Sequence, residues 1–116
     1  MNQFYQDLFN EIDKVDTFVE PNEDYFSNHW LSAVVLDTYE KREALRLALE
    51  KENIESRPLW KPMHLQPVFA KYPYYGNSVS EDLFNRGLCL PSGSNITNED
   101  KARIAHYVKT FFTTFV

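Results

Sequence analysis

The sequence predicts an α+β domain with a small mixed or antiparallel sheet of about three strands, covered by helices. Three observations predict this class. Apolar residues recur at the helical period in separate segments, short apolar runs typical of strands lie between them, and no internal repeat interrupts the chain. A chain of 116 residues favours one domain.

The first half is predicted to form a helix, a strand and a second helix, over residues 3–13, 29–37 and 39–52. The first helix has one apolar stripe at helical spacing, formed by Phe4, Tyr5, Leu8, Phe9 and Ile12. The acidic segment 17–27 contains Pro21 and is interpreted as a loop, and the strand after it is apolar enough to be buried. Asp37 or Thr38 caps the second helix, where Glu40 is placed to complete a capping box with Asp37.

The second half is predicted to hold a strand, a helical turn, a short helix, a third strand and a last helix, over residues 54–59, 66–71, 80–85, 88–91 and 98–115. Pro58 cannot donate to a strand ladder, so its strand lies at a sheet edge or stops there. Ser78 or Ser80 caps the short helix. Thr97 and Asp100 form a capping box for the last helix.

Composition and charge limit the class of protein. The formal net charge is −5 and no basic run exceeds two residues, so nucleic acid is not an expected partner. The longest apolar run has four residues and the start lacks a signal-peptide pattern, so no membrane association is expected. The lone Cys89 suits the cytoplasm, because no disulfide can form within the chain. The three histidines lack the spacing of a zinc site, and no glycine-rich phosphate loop is present.

The candidate chemistry lies in ESRPLWKPMHLQP, residues 55–67, a loop stiffened by three prolines. Its candidate binding residues are Arg57, Trp60, Lys61, Met63, His64 and Gln66. His64 can act as a base, a ligand or a hydrogen-bond donor, or can simply bond to the backbone. Arg57 and Lys61 can face an anion such as a diphosphate or carboxylate, or can pair with acidic neighbours such as Glu55. Trp60 can stack on a planar ring or a sugar, or can anchor the core.

A nucleophile pair of Cys89 with His64 is a further alternative. Cys89 lies between two leucines on a short strand, and this position favours a buried structural thiol instead.

Two long motifs, ESRPLWKPMHLQPVF and GLCLPSGSNITNED, followed by a terminal helix, resemble a known family. The sequence resembles the C-terminal small domain of the DegT/DnrJ/EryC1/StrS family of pyridoxal-phosphate-dependent sugar aminotransferases. It is most similar to the branch that acts on UDP-linked 4-keto-6-deoxy amino sugars. The resemblance covers essentially residues 1–116, and residues 1–15 look like the linker helix that leaves the large domain of such enzymes.

The resemblance implies the small domain of a fold-type-I enzyme that transfers an amino group, usually from glutamate, to a keto nucleotide sugar. In that family pyridoxal phosphate is held by a lysine of the large domain. None of the seven lysines here matches that position, so this chain alone is expected to bind no cofactor and to be inactive. His64 matches a histidine that lies near the sugar nucleotide in the family, and the other five loop residues would border the same pocket.

The implied partners are the large pyridoxal-phosphate-binding domain, a nucleotide-sugar substrate and a second copy of the chain. Phe4, Phe9, Phe111 and Phe115 are the candidates for apolar surface that such partners would cover. The alternative function is a non-catalytic module for nucleotide-sugar binding or oligomerisation.

Overall fold

The structure is a computed structural model and describes residues 1–115. Within that range the helices are α1 (Asn2–Asn10), α2 (Tyr39–Lys51), α3 (Val79–Arg86) and α4 (Asn98–Thr114). The strands are β1 (Val15–Thr17), β2 (Ser32–Leu36), β3 (Arg57–Pro58) and β4 (Gly87–Leu90), in the spatial order β1-β2-β4-β3. All three strand pairs are antiparallel, so the predicted α+β class is confirmed.

The sheet has four strands instead of about three, because β1 was not predicted. Val15 lies opposite Leu36 and Thr17 lies opposite Val34. Three residues with a single valine give no periodic signal, and their partner strand lies beyond the acidic loop. The strand predicted over 54–59 is reduced to two residues at the sheet edge, as the presence of Pro58 led us to expect.

The hydrophobic core lies between one face of the sheet and the helices α1, α2 and α4. β2 and β4 point alternate side chains toward this core, namely Val34, Leu36, Leu88 and Leu90, and all four are at most 3% exposed. The helices supply the opposing side chains Tyr5, Leu8, Phe9, Leu45, Leu49, Ile104, Val108 and Phe111. The helical stripes predicted from the sequence are therefore the buried faces.

Helix α1 is part of this core. Tyr5 is 1% exposed, and its hydroxyl donates a hydrogen bond of 2.6 Å to the carbonyl oxygen of Pro91 at the end of β4. Leu8 and Phe9 are also buried. The helix thus packs as an integral element, whereas its role as the linker from another domain stays a prediction.

The helix caps differ in part from those predicted. The hydroxyl of Thr38 accepts from the Lys41 amide and caps α2, while Asp37 forms a 3.6 Å ion pair with Lys41 instead of a capping box with Glu40. The capping box at α4 is confirmed. Ser78 precedes α3 but makes no capping bond, because it has a left-handed backbone with φ of 66°.

Two arginines attach α3 to the rest of the fold. Arg42 is 3% exposed and donates from Nε to the Asn85 carbonyl, 3.0 Å away, near the end of α3. Arg86 donates from Nη1 to the Leu36 carbonyl at 2.9 Å, and also pairs with Asp82 on its own helix. Because α3 has no buried side chain, these polar contacts help to fix its position.

The prediction of exposed phenylalanines is wrong for two residues. Phe9 is 2% exposed and Phe111 is 8% exposed, because both belong to the stripes that face the core. Phe4 packs partly against the core, and Phe115 is 38% exposed. The large apolar surface lies elsewhere, with Phe26, Trp30, Trp60 and Tyr75 all at least 69% exposed.

Cys89 is half-buried on β4, and burial raises the pKa of its thiol. This environment fits a structural thiol better than an activated nucleophile. Among residues 1–115 no three His, Cys, Asp or Glu side chains gather as a metal site. In the same range no helix is long and apolar enough to cross a membrane.

Candidate functional site

The segment between β3 and α3 folds into two short 3-10 helices, Met63–Leu65 and Pro67–Phe69. Gln66 joins them, and its side-chain amide donates to the Lys61 carbonyl at 3.2 Å. Gln66 therefore helps to hold the loop in shape. The side chain of Met63, in contrast, is 61% exposed and remains available for contact.

His64 is held by two partners that were not predicted from the sequence. Its Nε2 lies 2.5 Å from Oε1 of Glu81 on α3, and its ring stacks on Tyr74 with centroids 3.7 Å apart and planes 17° apart. The Tyr74 hydroxyl in turn accepts from the Ser78 amide at 3.1 Å. The His64 side chain is 16% exposed, so both contacts are partly shielded from water.

This geometry defines the chemistry that His64 can offer. A carboxylate only accepts hydrogen bonds, so Nε2 of His64 is the donor and Oε1 of Glu81 is the acceptor. In the neutral ring Nδ1 is then the remaining acceptor. The arrangement of an imidazole between a carboxylate and an aromatic face fixes the ring orientation, as required of a group that contacts a polar substrate.

The two basic residues of the loop behave differently from each other. Arg57 forms a 2.5 Å ion pair with Glu55, and both side chains are at least 70% exposed. The pairing with an acidic neighbour that the sequence allowed is therefore present, and an exposed pair of this kind contributes little stability. Lys61 is exposed and makes no ion pair with the described residues.

A cavity of about 740 Å³ lies beside the edge strand β3, and we call it the edge cavity. Its lining includes Trp30, Leu31, Ser56, Arg57, Trp60 and Arg103. Of the six loop residues predicted from the sequence, it brings together only Arg57 and Trp60. A second cavity of about 750 Å³ lies on the other side of residues 53–58, against α2 and Phe84.

The edge cavity contains an aromatic pair from two distant parts of the chain. Trp60 is 69% exposed, so the alternative of a core anchor is wrong. Its ring lies 6.3 Å from that of Trp30, with the planes tilted by 42°, and Trp30 is 71% exposed. Trp30 was not predicted as a site residue, although the turn-forming Ser27 and Asn28 just before it were a signal that its position is fixed.

Comparison with known proteins places the chain in a family. Residues 1–109 match the DegT/DnrJ/EryC1/StrS aminotransferase family. Over 92 residues the chain is 45% identical to EpsN of Bacillus subtilis (strain 168), assigned as a pyridoxal phosphate-dependent aminotransferase, covering 76% of this chain and 24% of EpsN. It is 33% identical over 92 residues to GDP-perosamine synthase of Escherichia coli O157:H7, covering 79% of this chain and 25% of that enzyme.

The fold is also that of a solved aminotransferase. The aminotransferase TlmJ from Streptoalloteichus hindustanus superposes with a TM-score of 0.85 at 16% identity, over 99% of this chain and 30% of TlmJ. The chain spans about a quarter of the length of the curated relatives that it matches. The family match extends over nearly all of its length, so this chain belongs to the DegT/DnrJ/EryC1/StrS aminotransferase family.

Proposed function

We propose that this chain is the C-terminal small domain of a pyridoxal-phosphate-dependent aminotransferase that transfers an amino group, from glutamate, to a keto nucleotide sugar. The observation that carries the proposal is the family match over residues 1–109 in a chain that spans about a quarter of its relatives. The name of one relative, GDP-perosamine synthase, supports a nucleotide sugar as the substrate class. A UDP-linked substrate remains the expectation from the loop sequence.

The described residues do not fit a covalent pyridoxal phosphate site. Such a site needs a lysine that is free to form a Schiff base in a pocket, and no lysine lines the edge cavity or the second cavity. A smaller cavity of about 450 Å³ contains Lys14, Lys41 and Lys109 beside the carboxylates of Glu11 and Asp13, and Lys109 pairs with Glu11 at 3.5 Å. Lys41, which is partly buried, is paired with Asp37 and lies over the rings of Phe112 and Phe115. When bound by the rest of the protein, the cofactor would supply the electron sink for transamination. The isolated chain should therefore be inactive.

In this proposal the loop between β3 and α3 contributes substrate contacts. His64, oriented by Glu81 and Tyr74, accepts a hydrogen bond from a hydroxyl group of the sugar through Nδ1. Lys61, which has no acidic partner among residues 1–115, adds positive charge nearby. Met63 borders the same pocket with its exposed side chain.

The remaining partners follow from the exposed surface and the composition. Trp30 and Trp60 expose apolar surface to solvent. Another domain or a second copy of the chain would cover this surface, so a homodimer is part of the proposal. The acidic net charge of −5 argues against nucleic acid as a partner. The lone Cys89 supports a cytoplasmic location.

A chimera tests the proposal directly. The segment of EpsN that corresponds to residues 1–109 of this chain is replaced by those residues, and the product is assayed for transamination of keto nucleotide sugars with glutamate. We expect an active chimera that binds pyridoxal phosphate. A chimera that is folded and binds the cofactor, yet transaminates no keto nucleotide sugar, would refute the function.

Two variants of the chimera test the role of His64. His64→Ala should raise the KM for the nucleotide sugar about tenfold, in line with the loss of one charge-assisted or buried hydrogen bond. The control is His106→Ala, on the exposed face of α4, which should leave the KM unchanged. An unchanged KM in His64→Ala would exclude the substrate contact while leaving the aminotransferase proposal intact.

A further inference from the structure

The edge strand β3 leaves one side of the sheet open. In the order β1-β2-β4-β3 it comes last, so no strand of the described chain pairs with its outer edge. On its inner edge β3 pairs with β4, where Pro58 lies opposite Leu88. Proline has no N–H group, so the hydrogen bonds of this ladder run through the neighbouring pair, Arg57 and Cys89. Backbone groups alternate sides along a strand, and the amide and carbonyl of Ser56 therefore point to the outer edge.

Ser56 has unused hydrogen-bonding groups at this open edge. Its amide and carbonyl make no backbone hydrogen bond with residues 1–115. Its side-chain hydroxyl is buried and also has no hydrogen-bond partner in that range. Buried polar groups in folded proteins are nearly always paired, because an unpaired one destabilises the fold. The three groups together indicate a partner that lies outside the described chain.

The two residues that flank Ser56 carry opposite charges. The side chains of Glu55 and Arg57 lie on one face of the chain, 2.5 Å apart, and they are 70% and 78% exposed. In an antiparallel pairing of two copies centred on Ser56, Glu55 of each copy lies opposite Arg57 of the other. Opposite charges that face each other across two strands attract, and the two-fold axis supplies this pair twice. The edge is therefore complementary to itself in charge.

The backbone on either side of Ser56 limits how far such a pairing extends. The Ile54 amide already donates to the Leu49 carbonyl at 2.9 Å, and Pro58 has no amide to donate. Neither residue can therefore add a donor to a strand that pairs along the outer edge. A two-fold contact also occupies the outer edge of β3 in both copies at once, so a third copy finds no open β3 edge. The expected assembly is a closed dimer and not a fibre.

We propose that the outer edge of β3 is a contact surface for a second copy of this chain. The two copies pair antiparallel about a two-fold axis, and the amide of each Ser56 donates to the Ser56 carbonyl of the other copy. The two Ser56 hydroxyls face each other on one side of the joined sheet, and the pairs of Glu55 with Arg57 lie on the other side. The exposed rings of Trp30 and Trp60 line the cavity beside this strand, so the same contact covers apolar surface. The contact goes beyond the proposed function, because it requires neither cofactor nor sugar.

Charge reversal tests both the surface and its register. Glu55→Arg and Arg57→Glu each place two like-charged pairs across the axis, and each should weaken the dimer about tenfold in sedimentation equilibrium. The two variants mixed in equal amounts should associate as tightly as the wild type, since every charge then meets its opposite across the axis. Each chain in the mixture still carries two like charges, so only a contact between chains explains this recovery. Glu23→Arg, in an exposed loop, is the control for net charge and should dimerise like the wild type.

Three results would refute the contact. One is a wild-type chain that stays monomeric at concentrations up to about 1 mM. The second is a dimer that neither charge reversal weakens, and the third is a mixture that associates no more tightly than the separate variants. Circular dichroism of each variant shows whether it is folded before its association is compared.

A second measurement needs no variant. The Ser56 amide of the wild type should exchange its hydrogen about tenfold more slowly as the concentration rises through the dimerisation range, because the other copy then accepts its hydrogen bond. The amide of Tyr75, in an exposed loop, is the control and should exchange at a constant rate. A Ser56 rate that is independent of concentration would contradict the pairing. A monomeric chain would leave the proposed amino transfer standing, whereas an inactive EpsN chimera would leave this contact standing.

Discussion

The hydroxyl of Tyr5 should contribute measurably to the free energy of unfolding. Tyr5 is 1% exposed, and its hydroxyl donates to the Pro91 carbonyl at 2.6 Å. Tyr5→Phe keeps the ring but removes this bond, which leaves a partly buried carbonyl without its donor. We expect the free energy of unfolding to fall by about 1–2 kcal/mol. With a urea m-value of about 1.5 kcal/mol per molar, the unfolding midpoint should fall by about 1 M.

The same residue gives a test by pH. Burial raises the pKa of Tyr5 above its ordinary value of about 10. The unfolded chain therefore loses this proton first as the pH rises. The stabilisation is complete below about pH 10 and is lost above it, with a slope of about 1.4 kcal/mol per pH unit for one group. Tyr5→Phe has no such proton, so its deficit relative to the wild type should shrink above about pH 10.

The control is Tyr75→Phe, which removes the same hydroxyl from a side chain that is 90% exposed. Urea unfolding of the three proteins is followed by circular dichroism between neutral and alkaline pH. If the midpoint of Tyr5→Phe matches that of Tyr75→Phe at neutral pH, the bond to Pro91 contributes nothing to stability and does not help to hold α1 against the end of β4.

Three further predictions concern the core, a cap and the loop. Leu45→Ala, at a site with 0% exposure, should reduce the free energy of unfolding by about 2–5 kcal/mol, whereas Leu47→Ala, 46% exposed on the same helix, should change it by less than about 0.5 kcal/mol. Thr97→Ala removes the capping box of α4 and should cost about 1 kcal/mol in urea unfolding; no change would mean that the cap is redundant. Glu81→Ala removes the partner of His64 and should speed amide exchange in the first 3-10 turn about fivefold, equivalent to about 1 kcal/mol. Unchanged exchange would show that the pair does not hold the loop.

The helices were predictable because the apolar stripe or cap that identifies each one lies within its own short segment of sequence. The stripe of α1 and the capping box of Thr97 with Asp100 are visible within a few residues of sequence, and the structure uses both. β1 was not predictable in this way, since it is defined by pairing with β2 across the acidic loop. The same stripes that predicted the helices also explain why Phe9 and Phe111 are buried and do not form an exposed surface.

The candidate site shows the same division between local and distant information. The unusual composition of the loop is enough to identify Trp60 and His64 as candidates. Their partners, Trp30 and Glu81, lie 30 residues before and 17 residues after them in sequence and meet them only in the folded chain. No local pattern contains such a contact, so the loop was predictable, whereas the separate contacts of Trp60 with Trp30 and of His64 with Glu81 were not.

Arg42 and Arg86, the two arginines that hold α3, limit how the sequence of the loop can vary. His64 is attached to Glu81, α3 carries Glu81, and two guanidinium contacts tie the C-terminal end of α3 to α2 and β2. Loop and helix therefore form one rigid unit with two points of attachment. If His64 contacts the sugar as proposed, a substitution that re-aims it toward a different sugar must preserve that unit or replace both attachments together. Substrate preference in such a protein should therefore change by exchange of the whole segment between β3 and β4, and not by the accumulation of single substitutions within it.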